Sequence, residues 1–163
     1  MNDQGLRLEL FRESDVEVLT PIMKRAFDED SRIHLNKSTG GPPGYDNGDF
    51  LRKYALHAKS DSYKIIRENI PIGATIVWIT ASQINSLGCL FIDSELQNQG
   101  IGLTVWQYIE RKYADTVMWK TETPGFSDRN HYFYVNKCGF KIVKIGLPQN
   151  GQPAMYYMEK RMS

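Results

Sequence analysis

The apolar positions of this chain follow two periods, and the switch between them marks its elements. "LRLELFR", Leu6 to Arg12, alternates apolar and polar residues as a half-buried strand does. In the following "SDVEVLTPIMKRAFDED", Val16, Leu19, Ile22, Met23, Ala26 and Phe27 fall on one helical stripe. Ser14 and Glu17 have capping-box spacing at its start, and Pro21 is expected to bend this helix or divide it in two. "NKSTGGPPGYDNGD", Asn36 to Asp49, is too rich in Gly and Pro for a regular element, and irregular stretches of this length are often functional or mobile. A short helix follows, with Phe50, Leu51, Tyr54, Ala55 and Ala58 on its apolar side.

From Ser62 to Asp93 the pattern changes to that of strands. "SYKIIREN", "IPIGATIVWIT" and "INSLGCLFID" are rich in Ile, Val and aromatics and are separated by short polar turns. Connections this short imply an antiparallel meander. "IGLTVWQYIERKYA" returns to a helical period, with Ile101, Val105 and Ile109 spaced by four. A short buried strand, Thr116 to Thr121, comes next, then a helix from about Asp128 to Lys137 and a strand from Phe140. "PAMYYMEKRM" closes the chain as a final strand. The order is mixed α/β, with a strand–helix–strand unit at its centre.

Composition narrows the function classes. A length of 163 residues fits one domain, 1–163, large enough to bury a core. With 41% hydrophobic and 24% charged residues, it reads as an ordinary globular chain. The net charge of +1, without a long Lys/Arg run, gives no support to a nucleic-acid partner. No apolar run approaches the roughly 18 residues that cross a bilayer, and "MNDQGLRLEL" lacks the order of a signal peptide. No membrane partner and a cytoplasmic location are therefore expected. Cys89 and Cys138 have no metal-ligand spacing and read as reduced core residues, so no metal is expected. His34, His57 and His131 form no recognisable pattern with either thiol, which speaks against a cysteine nucleophile.

Candidate chemistry centres on "LQNQGIG", Leu96 to Gly102, set between the third meander strand and the amphipathic helix. Strand, glycine turn and helix together make an anion site. The first helical amides lack intrahelical partners, and the helix dipole adds about half a positive charge there. Glycine lets an anion approach the backbone closely. A dinucleotide fingerprint fails because Val105 stands where the third glycine belongs, and a P-loop fails because no Gly-Lys-Ser/Thr triplet exists. Gln97, Gly100 and Gly102 do fit Gln/Arg-x-x-Gly-x-Gly/Ala.

In this motif the chain resembles the GNAT acetyltransferase superfamily. "FYVNKCGFKIV", Phe133 to Val143, is similar to the family's later motif, and the order of elements agrees along nearly the whole chain. The resemblance implies an α/β (α+β) fold with a mostly antiparallel mixed sheet of six or seven strands, splayed central strands and about four helices. It implies acetyl-CoA as co-substrate. The backbone amides of Gln97, Asn98, Gln99, Gly100, Ile101, Gly102 and Leu103 would hold its pyrophosphate, with the Thr104 hydroxyl one turn further on. Phe91, Ile92 and Asp93 would pair with the pantetheine arm as an added strand, and the amide near Ile92 would serve the oxyanion. Asn130 would add a cofactor hydrogen bond.

For the leaving thiolate the family commonly uses a tyrosine, and Tyr134 is the candidate, with Tyr132 as the fallback. Tyr134 lies five residues before Gly139, where four is typical, and a helix bulge near Asn136 would absorb the extra residue. An alkyl amine with a pKa of about 10 is less than about 0.1% neutral at pH 7, so its deprotonation accounts for about 4–5 kcal/mol of the barrier. The strand before the glycine turn holds no glutamate to take that proton. Glu29, Asp30, His34 and water are the candidates. The acidic start of "DEDSRIHLNKSTGGPPGYD" suggests a cationic amine, with Tyr45 and the prolines as an apolar wall. A small-molecule amine is the expected acceptor. A protein N-terminus or lysine is the alternative, as is a non-catalytic acyl-CoA-binding regulator, and a homodimer is compatible with each.

Overall fold

The computed structural model describes residues 5–163. Its seven strands form one sheet: β1 Leu6–Leu10, β2 Ser60–Arg67, β3 Ile70–Trp78, β4 Ile84–Ile92, β5 Met118–Pro124, β6 Lys141–Gly146 and β7 Met155–Arg161. Their order is β1-β2-β3-β4-β5-β7-β6. The expected meander is present, with β1 to β4 pairing antiparallel in sequence order. The helices are α1 Glu13–Leu35, α2 Ile101–Lys112 and α3 Asp128–His131, with π-helical segments at Leu51–Ala55 and Tyr132–Lys137. This is the GNAT-like α/β arrangement that the two motifs imply.

Helix α1 departs from expectation at two points. It starts one residue before Ser14, because the Asp15 carboxylate accepts the Arg12 amide at 2.8 Å while the Asp15 amide donates to the Arg12 carbonyl. Ser14 and Glu17 are therefore not its capping pair. Nor does Pro21 divide it: the helix runs unbroken for 23 residues, with the ring on the exposed side and Leu19, Ile22 and Met23 buried beneath. Burial of that stripe offsets the loss of one helical hydrogen bond.

The helices cover both faces of the sheet. Val16, Leu19, Met23 and Ala26 of α1 pack with Leu51 and Ala55 on Ala74, Ile76, Cys89 and Phe91. On the other face, Ile101 and Val105 of α2 meet Ile65, Ile72 and Ile92. Trp106 and Ile109 join Trp119, Phe140 and Met158, with the two indole rings edge to face at 5.0 Å. Both cysteines are free and buried, and burial pushes each thiol up to about 12.

Three residue pairs then decide where a site can form. β4 and β5 run parallel and pair only at Ile84–Met118, Asn85–Trp119 and Ser86–Lys120. β5 continues along β7 to Pro124, so it diverges from β4. Beyond Ser86, the β5-facing edge of β4 has no ladder partner among the described residues.

Candidate active site

The Asp93 amide donates to the Ile72 carbonyl at 2.8 Å, which fixes the alternation of β4. In an antiparallel ladder, neighbouring residues turn their backbone polar groups to opposite sides. Ile92 and Leu90 therefore turn theirs to the splayed side. The Ile92 carbonyl meets the Gln97 side-chain amide there, at 3.4 Å.

At the end of β4 the chain makes a short 3-10 turn, Ser94–Leu96, and then the glycine turn. Asn98 has φ 66° and Gly100 has φ 76°, two left-handed positions that wind the turn back toward the sheet. The first helical bond of α2 runs from the Thr104 amide to the Gly100 carbonyl. The amides of Ile101, Gly102 and Leu103 precede it and form a cluster of donors at the positive end of the dipole. The two glycines serve different ends. A side chain at Gly100 would meet open space, so glycine is required there by its φ; at Gly102 a Cβ would stand 3.3 Å from the Phe133 ring.

Turn, splayed edge and the π-helical segment open into one cleft of about 740 Å³. Its walls include Phe91, Ile92, Gln97, Asn98, Gly100, Ile101, Gly102, Leu103, Asn130 and Tyr134. Three expected cofactor residues lie outside it. The Asp93 carboxylate is held by Arg25 Nη2 at 2.8 Å and its amide serves the sheet, so neither group is left for a pantetheine arm. The Gln99 side-chain carbonyl accepts from Arg67 at 2.9 Å, on the outer side of the turn. The Thr104 hydroxyl donates to the Gly100 carbonyl at 3.0 Å, one turn back along its own helix. Asn130 does line the cleft, anchored to the Thr123 hydroxyl at 3.1 Å.

Tyr134 reaches the cleft because the helix takes one extra residue into its last turn. The Cys138 amide donates to the Phe133 carbonyl, five residues back, which is the bulge that the spacing to Gly139 requires. The Tyr134 ring is 8% exposed and packs edge-on against Phe133 and Phe140. Burial pushes its phenol well above the ordinary tyrosine value, and the neighbouring thiols of Cys89 and Cys138 add to this. It therefore stays protonated at neutral pH. Tyr132 lines the outer cleft at 56% exposure, with the Lys137 ammonium over its ring.

Opposite the β4 edge stands the end of α1, with Ala26, Phe27, Asp30 and His34. Of the acidic run, only Asp30 faces the cleft. Asp28 is turned to Lys24, the Gly40 amide and the Tyr45 hydroxyl, and Glu29 is paired with Arg32. Tyr45 is 8% exposed within the core under α1, where it pins the long loop instead of walling the cleft. Asp28 and Glu29 thus have cationic partners of their own within the protein, and Asp30 is the carboxylate of this run that reaches the cleft.

Arg129 is a cleft residue that the sequence alone does not suggest. It donates to the Gln97 side-chain carbonyl at 2.8 Å and stands 3.5 Å from Asp30. Its partners are remote in the chain, 32 residues away in the case of Gln97, so no local pattern marks it. Lys137 is a second cation on the cleft wall. Among the described residues no cluster has the makings of a metal site, and no helix is long and apolar enough to cross a membrane.

No protein-family model matches the sequence. A Bacillus subtilis (strain 168) protein, the uncharacterized protein YrkN, is 35% identical over 156 residues, which is 95% of this chain and 83% of that protein. PaiA N-acetyltransferase from Thermoplasma acidophilum, solved in complex with coenzyme A, superposes with a TM-score of 0.74 at 15% identity, over 96% of this chain and 99% of that one. The ribosomal-protein-S18-alanine N-acetyltransferase from Escherichia coli gives a TM-score of 0.74 at 13% identity, covering 97% and 94%. At such identities the structural likeness is one of fold. The chain belongs to one family with the Bacillus subtilis protein and has the fold of the GNAT superfamily.

Proposed function

We propose that the protein transfers an acetyl group from acetyl-CoA to the primary amine of a small molecule, by direct attack within a ternary complex. One observation carries this reading: the unpaired amides at the start of α2, the open edge of β4 and the Tyr134 phenol all face the same cleft. The amides suit a pyrophosphate. The open edge suits a pantetheine arm whose amides pair like those of a peptide strand. That the similar PaiA structure is a complex with coenzyme A supports the same ligand here.

The Ile92 amide, turned to the splayed side, is the donor for the oxyanion. As the amine nitrogen bonds to the thioester carbon, the carbon–sulfur bond breaks and its electron pair leaves on sulfur. Tyr134 donates its hydrogen bond, then its proton, to that thiolate. Direct attack fits the thiols as well. Both cysteines are held protonated by burial, so neither offers a thiolate to carry the acetyl group.

The test is thiol release from acetyl-CoA across small amines, amino acids and peptides, together with cofactor binding by thermal shift. Turnover on a small amine is the expected result. Turnover confined to peptides would replace the small acceptor with a protein one, and binding without any turnover would favour a regulator.

A further inference from the structure

His34 lines the wall opposite the β4 edge, with its side chain only 12% exposed. The Arg129 amide donates to its Nε2, the two nitrogens being 3.4 Å apart. Asp30 Oδ1 stands 3.5 Å from the same nitrogen, but it already accepts the buried Ser127 hydroxyl at 3.0 Å and lies 3.5 Å from Arg129 Nη2. In an imidazole, the bond made by one ring nitrogen decides which of the two carries the proton. With the Nε2 lone pair engaged by the Arg129 amide, the proton is on Nδ1. Nδ1 has no hydrogen-bond partner among the described residues, and with Nε2 tied to the wall it is the nitrogen left to the cleft.

We infer that the Nδ1–H of His34 binds an uncharged oxygen on the acceptor, so that the substrate is an amine that also carries a hydroxyl or carbonyl, as amino alcohols and amino-acid amides do. The inference rests on the acetyl-transfer reading above and names the class of acceptor within it. A donor nearly withdrawn from solvent costs free energy until something accepts from it. The cofactor arm is assigned to the opposite edge of the cleft, which leaves this donor to the acceptor. A fully anionic oxygen is disfavoured there, because the Asp30 carboxylate stands beside the same ring and Asp128 lines the same cleft. The Arg129 guanidinium, which would offset them, is turned to the Gln97 carbonyl at 2.8 Å. Alkyl amines and polyamines give Nδ1–H nothing to bind, since their carbons bear only hydrogen and their further nitrogens are protonated donors. His34, its lone pair held by the wall, takes no proton from the amine and acts as a binding group.

Two substitutions separate this role from that of a mere wall residue. A glutamine at position 34 carries its amide to the place of Nε2, so its carbonyl keeps the bond from the Arg129 amide while the donor facing the cleft is lost. An asparagine ends at the place of Nδ1, so its amide nitrogen replaces the cleft donor while the bond to the wall is lost. If His34 only props the wall, His34→Gln is the harmless change. If it binds the acceptor, His34→Asn is.

The experiment measures kcat and KM of wild type, His34→Gln and His34→Asn with ethanolamine, glycinamide and propylamine, with acetyl-CoA affinity and melting temperature recorded alongside. His34→Gln should lower kcat/KM for ethanolamine and glycinamide by about tenfold, mostly through KM, and change it for propylamine by less than about twofold. His34→Asn should stay within about threefold of wild type on the two oxygen-bearing amines. The amines differ in basicity, but the difference cancels because each variant is compared with wild type on the same amine. Equal losses on the three amines, or greater harm from His34→Asn than from His34→Gln, overturn the inference and leave the acetyl-transfer reading standing. Wild-type protein that binds acetyl-CoA but turns over no amine overturns that reading, and this inference with it.

Discussion

The guanidinium of Arg129 lies 2.8 Å from the side-chain carbonyl of Gln97, joining the start of α3 to the glycine turn across the mouth of the cleft. The other end of the Gln97 amide reaches the Ile92 carbonyl. One glutamine side chain therefore spans from the open strand edge to the opposite wall. Hydrogen bonds from a charged donor are worth about 1.5–3 kcal/mol, enough to fix the shape of a turn that has little side-chain packing of its own. Arg129→Met should weaken acetyl-CoA binding by about tenfold and leave the melting temperature of the free protein within a few degrees. Calorimetric titration of both proteins checks this, and equal affinities would show that the turn needs no such brace.

The two glycines of the turn should respond differently to the same small change. At Gly100, with φ 76°, any Cβ costs roughly 1–2 kcal/mol in the left-handed region, although space is open around it. At Gly102 a methyl group asks only that the Phe133 ring yield by a few tenths of an ångström, and a helical position prefers Ala over Gly by about 1 kcal/mol. Gly100→Ala should therefore lower the melting temperature and shrink the stabilisation that acetyl-CoA gives. Gly102→Ala should melt at or above wild type. Equal melting losses would mean that the turn's conformation is not what Gly100 supplies.

Tyr134→Phe removes the hydroxyl of a cleft-lining residue and leaves the ring packing against Phe133 and Phe140 intact. Turnover should fall at least tenfold, while the dissociation constant for acetyl-CoA changes less than threefold. Tyr132→Phe, at the exposed rim, should keep wild-type turnover. If the two variants exchange these outcomes, the thiolate is served from the outer wall.

Acid stability should depend on Asp28. Burial opposes ionisation of this carboxyl, but the Lys24 ammonium, the Tyr45 hydroxyl and the Gly40 amide outweigh it and hold it below the usual range. With the folded value below the unfolded one of about 3.9, its contribution is complete above that pH and is lost as pH falls through the folded value. Tyr45→Phe removes one donor, so the variant should be less stable at neutral pH and show a shallower loss below about pH 4. Urea midpoints measured from about pH 2 to pH 6 check both parts, and parallel curves for the two proteins would remove Asp28 as the cause.

The sequence by itself determined the elements, because their signals are local. The stripe from Val16 to Ala26 is a helix whatever surrounds it, and three runs of Ile, Val and aromatics joined by short turns can only form a meander. The anion turn was legible for the same reason: strand, glycines and helix are contiguous in "LQNQGIG". Even the helix bulge before Gly139 was legible, as one residue too many between Tyr134 and that glycine.

Tertiary structure decided which neighbouring groups were already taken. The side chains of Asp93, Gln99 and Thr104 sit inside or beside the motif, yet each is bonded elsewhere, to Arg25, to Arg67 and to the Gly100 carbonyl, and the Gln99 bond runs through its side-chain carbonyl and does not involve its backbone amide. The acidic run likewise divides by helical phase, with Asp28 and Glu29 turned to partners of their own and Asp30 turned inward. His34 meets the Arg129 amide 95 residues along the chain, and only the splaying of β5 from β4 brings such remote groups around one cleft. Periodicity and turn chemistry act over a few residues and can be read in one dimension. Charge pairing and hydrogen-bond competition act through space, and the fold settles them.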